Sequence, residues 1–320
     1  MSHPTPAPPG RRYCLITPCR DEGKFVRTTL ETTTRQTVPP TRWIIVDDGS
    51  TDDTPAILAE YAQRHPYIEV VRRADRGGRS VGPGVIEAFY QGLARIDLAG
   101  FDYVCKFDGD LELGPRYFER VMELMEADPA LGNLSGKLFE RLHDGRMVEE
   151  RTGDENAVGP IKFYRVGCFR DIGGFVREVM WDGIDGHLCR MRGWIARSVD
   201  EPELRIVHLR PMGSSQENIW VGRLRWGRGK YFMGSAWFYV LSASAYRLFE
   251  RPWVVGGVGI ALGYARAALA RHPRYDDPAY RRFLRRFEIE SLLLGRQRTL
   301  DRYDARIRAQ RGAPGREPQR

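Results

Sequence analysis

The stretch WIIVDDGSTDDT, Trp43 to Thr54, turns from apolar to polar at a single residue. Trp43-Ile44-Ile45-Val46 has the pattern of a strand buried on both faces. Asp47-Asp48-Gly49-Ser50 then has the composition of a tight turn. From Thr54 to Arg64 the spacing of Ile57, Leu58 and Tyr61 predicts a helix with one apolar face. Outward from this unit the pattern repeats. Tyr13–Thr17, Ile68–Val71 and Tyr103–Phe107 have the pattern of further strands. Phe25–Thr34 and Val85–Ile96 are predicted as helices, the second with Ile86, Phe89, Leu93 and Ile96 near helical spacing. Strands alternating with helices predict an α/β fold, a mostly parallel central sheet flanked by helices.

In such sheets ligands bind beyond the carboxyl ends of the strands. The polar clusters fall there: PCRDE (18–22), DDGSTDD (47–53) and DGD (108–110). No GxGxxG opens a helix after the first strand, so the dinucleotide-binding pattern is absent. RGGRSVGPG (76–84) is Gly-rich but lacks the GK[ST] ending of a phosphate loop. A lone acidic pair such as Asp108 and Asp110 is commonly a turn. Here Asp47 and Asp48 end another strand of the same sheet. Several carboxylates in one crevice repel each other unless a cation compensates. Hard oxygen ligands suit Mg²⁺ or Mn²⁺, with the phosphates of a nucleotide completing the shell.

The 320 residues carry a formal charge of +8, and residues 271–320 hold 14 Arg against 7 Asp and Glu, so most of the excess lies at the C-terminus. A nucleic-acid binder would spread basic charge over its main domain, so no nucleic-acid partner is expected. Basic charge beside apolar segments points to an anionic membrane surface. Residues 231–246, YFMGSAWFYVLSASAY, and 252–265, PWVVGGVGIALGYA, are uncharged but short for a bilayer span, and are expected as in-plane or re-entrant helices. YRRFLRRFEIESLLLG (280–295) sets Tyr280, Phe283, Leu284 and Phe287 against Arg281, Arg282, Arg285 and Arg286, the composition of an interfacial helix. The competing reading is a helix packed on the protein through the same stripe. Cys14, Cys19, Cys105, Cys168 and Cys189 form no CxxC pair and suit reduced thiols. The opening MSHPTPAPPGRR is polar and Pro-rich, without the apolar run of a signal peptide.

Taken together, TPCRDE, IIVDDGSTDDT, FDGD, GGF (173–175) and GIDGHLCRMRGW (183–194), in this order, resemble the inverting family 2 glycosyltransferases of GT-A fold. The resemblance covers roughly residues 12–215. It implies a metal-dependent enzyme that uses a UDP-, GDP- or dTDP-sugar donor with Mn²⁺ or Mg²⁺. On that resemblance Asp110 is the direct metal ligand, and Asp108 contacts ribose or, through water, the metal. Asp48 bonds the base, Glu22 sits near base and ribose, and Pro18 and Arg20 line the same nucleotide site. Arg79, in the Gly-rich loop, is a candidate contact to base or phosphate. His208, ending RIVHLR, is a candidate further metal ligand. Asp185 takes the place of the catalytic base. The acid that precedes it in the family is replaced by Ile184, so Asp182 is the alternative base or the missing charge. RLRWGRGKYFMG (223–234) is similar to the Arg-Trp segment of processive members, but Gly222 stands where those have Gln, and processivity is not inferred.

The expected organisation is a disordered 1–11 and a GT-A catalytic domain over 12–215, with a nucleotide-binding half (12–112) and an acceptor half (113–215). A helical, apolar and basic membrane-interfacial extension follows over 216–307, then a disordered tail over 308–320. The expected acceptor is a lipid-linked or polysaccharide hydroxyl in cell-surface glycan synthesis, reached from the cytoplasmic side of a membrane. One rival is a sugar-nucleotide nucleotidyltransferase, which would carry a Gly-rich triphosphate loop after the first strand. The other is a non-catalytic membrane-binding protein on the same fold, which would have lost the acids.

Overall fold

A computed structural model of the chain describes residues 11–75, 77, 82–150, 152–210, 219–248 and 254–311. These residues form two compact units, one of Met1–Arg177 with Trp194–Met212, the other of Glu178–Gly193 with Gly213–Arg320. Residues 178–193, expected within the 12–215 domain, group here with the C-terminal helices.

The first unit opens β1 (Tyr13–Cys19), α1 (Val26–Thr34), β2 (Arg42–Asp47), α2 (Thr54–Arg64), β3 (Ile68–Arg72), α3 (Pro83–Leu93) and β4 (Tyr103–Phe107). This is the alternation expected from the sequence, with the strand ends within two residues. β5 (Leu111–Leu113), α4 (Tyr117–Ala127), β6 (Leu131–Ser135), β7 (Leu138–Arg141), β8 (Met147–Glu149), β9 (Ile161–Arg165) and α5 (Val166–Asp171) follow. After α6 (Trp181–Met191), which belongs to the second unit, the chain returns through β10 (Ile195–Ser198) and β11 (Ile206–His208).

Seven strands make one sheet in the order β10-β6-β9-β4-β1-β2-β3, parallel except for β9. Apolar runs put β1, β2 and β4 at its centre, where Leu15, Ile16, Ile44, Val46, Cys105 and Phe107 are fully buried. The parallel register sets Cys19 opposite Asp47, which brings those strand ends level. A second sheet, β5-β11-β7-β8, has β11 antiparallel to β5, with His208 opposite Leu111.

The second unit holds α6 with α7 (Ile219–Met233), α8 (Trp237–Tyr246), α9 (Val255–Leu269), α10 (Pro278–Leu294) and α11 (Arg296–Arg311). α10 begins cleanly: Asp277 accepts the Tyr280 N–H at 2.9 Å and Pro278 fills the first turn. Its apolar stripe corrects an expectation. Tyr280, Leu284 and Phe287 are buried, with Phe287 packed edge-on to His187 of α6 at 4.9 Å and to Tyr303 of α11 at 5.6 Å. The stripe is the core of this unit and not a free interfacial face. α11 continues through Arg311, whose guanidinium donates to the Gly193 carbonyl at 2.6 Å, so 308–311 are helical where a disordered tail was expected. Among the described residues no helix is long and apolar enough to cross a membrane.

Glu288 of α10 is buried and accepts the Ala236 N–H at 2.8 Å. Burial pushes its carboxyl pKa up. A raised folded pKa gives stability that is full in acid and lost as pH rises through that pKa. Glu288→Gln keeps an acceptor and removes the charge. It is expected to raise the urea midpoint at about pH 8 and to change it little at about pH 4.

Candidate active site

The site in the first unit is assembled at the carboxyl ends of β1, β2 and β4. The Asp48 N–H donates to the Cys19 carbonyl at 2.8 Å, which carries the β1–β2 pairing one residue beyond β2. Arg20, 8% exposed, donates to the Asp48 carbonyl and to the Asp75 carboxylate, both at 2.7 Å. The Asp48 carboxylate pairs with Arg73 at 2.9 Å. The neighbouring Asp47 carboxylate instead accepts the Ser50 N–H at 2.9 Å and shapes the turn. Gly49 sits at φ +78°, and a Cβ there would lie 2.5 Å from the Cα of Asp75. Only glycine fits both the conformation and the approach. Pro18 is half-buried on β1 opposite Val46. Asp21 lies at φ +51°, a region Asp tolerates, and its carboxylate accepts the Thr51 N–H at 2.8 Å. Glu22 is buried, its N–H donating to Thr54 Oγ1 at 2.8 Å.

The Asp-Gly-Asp turn after β4 packs against this end of β1. A Cβ on Gly109 would meet Cys19 Sγ and Glu22 Cγ at 3.6 Å. Thr29 of α1, fully buried, clamps the turn by donating to the Gly109 carbonyl at 2.9 Å and accepting the Leu111 N–H at 3.0 Å. Thr29→Val strands both buried groups, so a loss of about 2 kcal/mol in the urea unfolding free energy is expected. Asp108 pairs with the buried Lys106 ammonium at 2.5 Å, and Lys106 also donates to the Gly159 carbonyl at 2.9 Å. Desolvation raises the Asp108 carboxyl, with Lys106 opposing and Asp110 adding to the rise.

Asp110, 7% exposed, faces His208 Nε2 at 3.7 Å and Arg210 Nε at 3.5 Å. His208 Nδ1 is held by Glu150 at 3.0 Å, and Arg210 also pairs with Glu22. Burial opposes a charged His208, but the Asp110 and Glu150 carboxylates overcome it and push its pKa up to about 10. Burial likewise raises the Asp110 carboxyl, and His208, Arg210 and Lys106 reverse that and hold it below the usual range. Glu150, His208 and Asp110 thus stand in line, the outer carboxylate fixing the ring that points its second nitrogen at the inner one. This is how a carboxylate orients a metal-binding imidazole. A cation between Asp110 and His208 would have to displace the proton that the two carboxylates hold on the ring; the oxygen and imidazole donors so freed are of the kind that suits Mn²⁺. Among the described residues no three His, Cys, Asp or Glu side chains converge at ligand distance.

Of the expected residues, Pro18, Arg20, Glu22, Asp48, Asp108, Asp110 and His208 therefore lie in one unit; Arg210 joins Glu22 to Asp110, and Asp110 in turn faces His208. Arg79 lies outside the described residues. Asp185 and Asp182 lie on α6 of the second unit. Asp185 is 1% exposed and accepts the Gly186 N–H at 2.6 Å, whereas Asp182 is exposed in the first turn. On α7, Arg223 lies over the Trp226 ring at 5.5 Å, and Arg247 also lies over it at 4.4 Å. Sequence reasoning missed Lys106, Arg73, Glu150 and Arg210. Lys106 had a signal: a lone cation in an apolar strand two residues before Asp108, the spacing that puts side chains on one face.

This arrangement has the GT-A fold of nucleotide-sugar transferases. The structure is similar to a mannosyltransferase from Pyrobaculum calidifontis solved with GDP-Man and Mn²⁺, at a TM-score of 0.51 and 19% identity over 96% of this chain and 88% of that one. Residues 14–170, just under half of the chain, match the family model for Glycosyl transferase family 2, so a family 2 glycosyltransferase domain is recognised over those residues. It is 29% identical over 120 residues to the uncharacterized glycosyltransferase YibD of Escherichia coli (strain K12), covering 37% of this chain and 31% of that protein. It is 32% identical over 131 residues to a beta-monoglucosyldiacylglycerol synthase of Synechocystis sp. (strain ATCC 27184 / PCC 6803 / Kazusa), covering 39% of this chain and 25% of that protein. The chain thus spans less than a third of the length of these two curated relatives.

Proposed function

We propose that the protein is a metal-dependent, inverting glycosyltransferase that moves a sugar from a nucleoside-diphosphate donor to a hydroxyl of a lipid-linked or polysaccharide acceptor. The observation that carries this reading is the Glu150–His208–Asp110 line beside the Lys106–Asp108 pair. A Mn²⁺ or Mg²⁺ ion held by Asp110 and His208 would act as Lewis acid on the diphosphate leaving group. Arg73 and Arg20 hold Asp48 and its backbone in place to receive an imide N–H of uracil, thymine or guanine. Glu22 and Asp108 serve the ribose side of the donor, and Arg79 remains a candidate for base or phosphate. Asp185 takes the proton of the acceptor hydroxyl, with Asp182 as the alternative.

Likeness to a protein named as a glucosyldiacylglycerol synthase supports a lipid acceptor. A membrane-surface setting on the cytoplasmic side, in cell-surface glycan synthesis, fits that acceptor. The test is calorimetric titration with UDP, GDP and dTDP, each with and without Mn²⁺. Binding of one diphosphate only with metal is the expected result. No binding by folded protein would move the reading to a non-catalytic membrane-binding protein.

A further inference from the structure

Helix α9 is packed inside out. Its buried positions are Gly256, Gly257, Gly259, Ile260, Gly263 and Ala267, nearly all the smallest side chains. Its large apolar side chains point outward, Val255 and Val258 well exposed and Leu269 85% exposed. The glycines are where neighbouring backbones enter. A Cβ on Gly227 of α7 would overlap the Ile260 carbonyl oxygen, one on Gly263 the Leu224 carbonyl oxygen, and one on Gly257 the Ser244 carbonyl oxygen of α8. α8 shows the same inversion: Val240 and Ser244 are buried, while Trp237, Leu241 and Tyr246 are exposed at 64%, 51% and 69%.

A helix in water turns its large apolar side chains toward the core. Helices in lipid bring small residues together so that backbones approach, and leave large apolar groups for acyl chains. Charge agrees. Residues 219–248 and 254–275 contain no Asp or Glu and eight Lys or Arg. Helices free of acids, with a Trp among their exposed apolar side chains, complement an anionic headgroup layer. The helices are too short to cross. α8 has 10 residues and α9 has 15, whereas a span needs roughly 20.

We propose that the α8–α9 face, carrying Trp237, Leu241, Val255, Val258 and Leu269, is a lipid-docking surface that seats in the headgroup region of an anionic bilayer. It deepens the membrane-surface reading above and rests on it only for its purpose, since the packing stands independently of any donor. It moves the membrane contact from the basic helix α10, whose stripe is buried, to the glycine-packed pair.

The experiment is flotation of the full chain with vesicles of equal parts phosphatidylcholine and phosphatidylglycerol, and with phosphatidylcholine alone. Strong, salt-sensitive flotation with the anionic vesicles is expected. In the triple variant Trp237→Ser, Leu241→Ser, Val258→Ser, whose positions are exposed and so spare the core, partitioning should fall by at least about tenfold. Brominated lipid should quench tryptophan fluorescence in the native chain, and Trp237→Phe should remove most of that quenching. Equal flotation of the triple variant overturns the proposal. So does sedimentation showing a dimer that the triple variant dissolves, which would make the face a contact between two copies. Mn²⁺-dependent diphosphate binding measured on the same variant should be unchanged, so loss of docking and failure of the donor reading are separable.

Discussion

Asp110→Ala is expected to weaken Mn²⁺-dependent binding of the donor diphosphate by at least about 100-fold, more than removal of an outer-shell partner alone. The fold should survive. Thr29 holds the turn through the Gly109 carbonyl and the Leu111 N–H, and the Leu209 N–H bonds the Asp110 carbonyl rather than its side chain. What disappears is the one carboxylate that both His208 and Arg210 face. Circular dichroism would verify the fold and calorimetry the binding. Retention of metal-dependent affinity would place the cation elsewhere. Affinity equal with and without metal in the native chain would mean that Lys106 and Arg210 carry the diphosphate charge instead.

Asp185→Asn is expected to leave donor binding unchanged while lowering turnover about a thousandfold, the range of a lost general base. Asparagine keeps an oxygen for the Gly186 N–H, so that bond within α6 is retained. It cannot take a proton from an acceptor hydroxyl. Near-normal turnover in Asp185→Asn, with loss in Asp182→Asn, would transfer the role to the exposed acid three residues earlier.

The parallel half of the fold was legible because its strands are uninterrupted apolar runs and its acids fall at their ends, so one pattern fixed both. Asp48, Asp108 and Asp110 followed from that rule. Their partners did not. Glu150 reaches His208 across 58 positions through the β7–β8 hairpin, and Arg73 meets Asp48 only because β3 is parallel to β2. No local spacing encodes either meeting. The misassigned face of α10 has a different cause. A helical stripe shows that a face is covered and is silent on whether lipid or protein covers it. For α9 the informative residues were the glycines, whose meaning depends on which backbone passes over them.

The cluster around Asp110 also bears on where this chain can be cut. The family match ends at residue 170, yet His208 and Arg210 come after it. β11 is an inner strand, lying between β5 and β7. A fragment ending at the family boundary would keep every acid of the strand ends. It would lose both basic side chains opposite Asp110, and its second sheet would be split into two open edges. Unpaired edges invite pairing between molecules, so such a truncation is a route to insoluble protein rather than to a minimal enzyme. The shortest useful fragment has to carry the return strand that lies well beyond the recognisable domain.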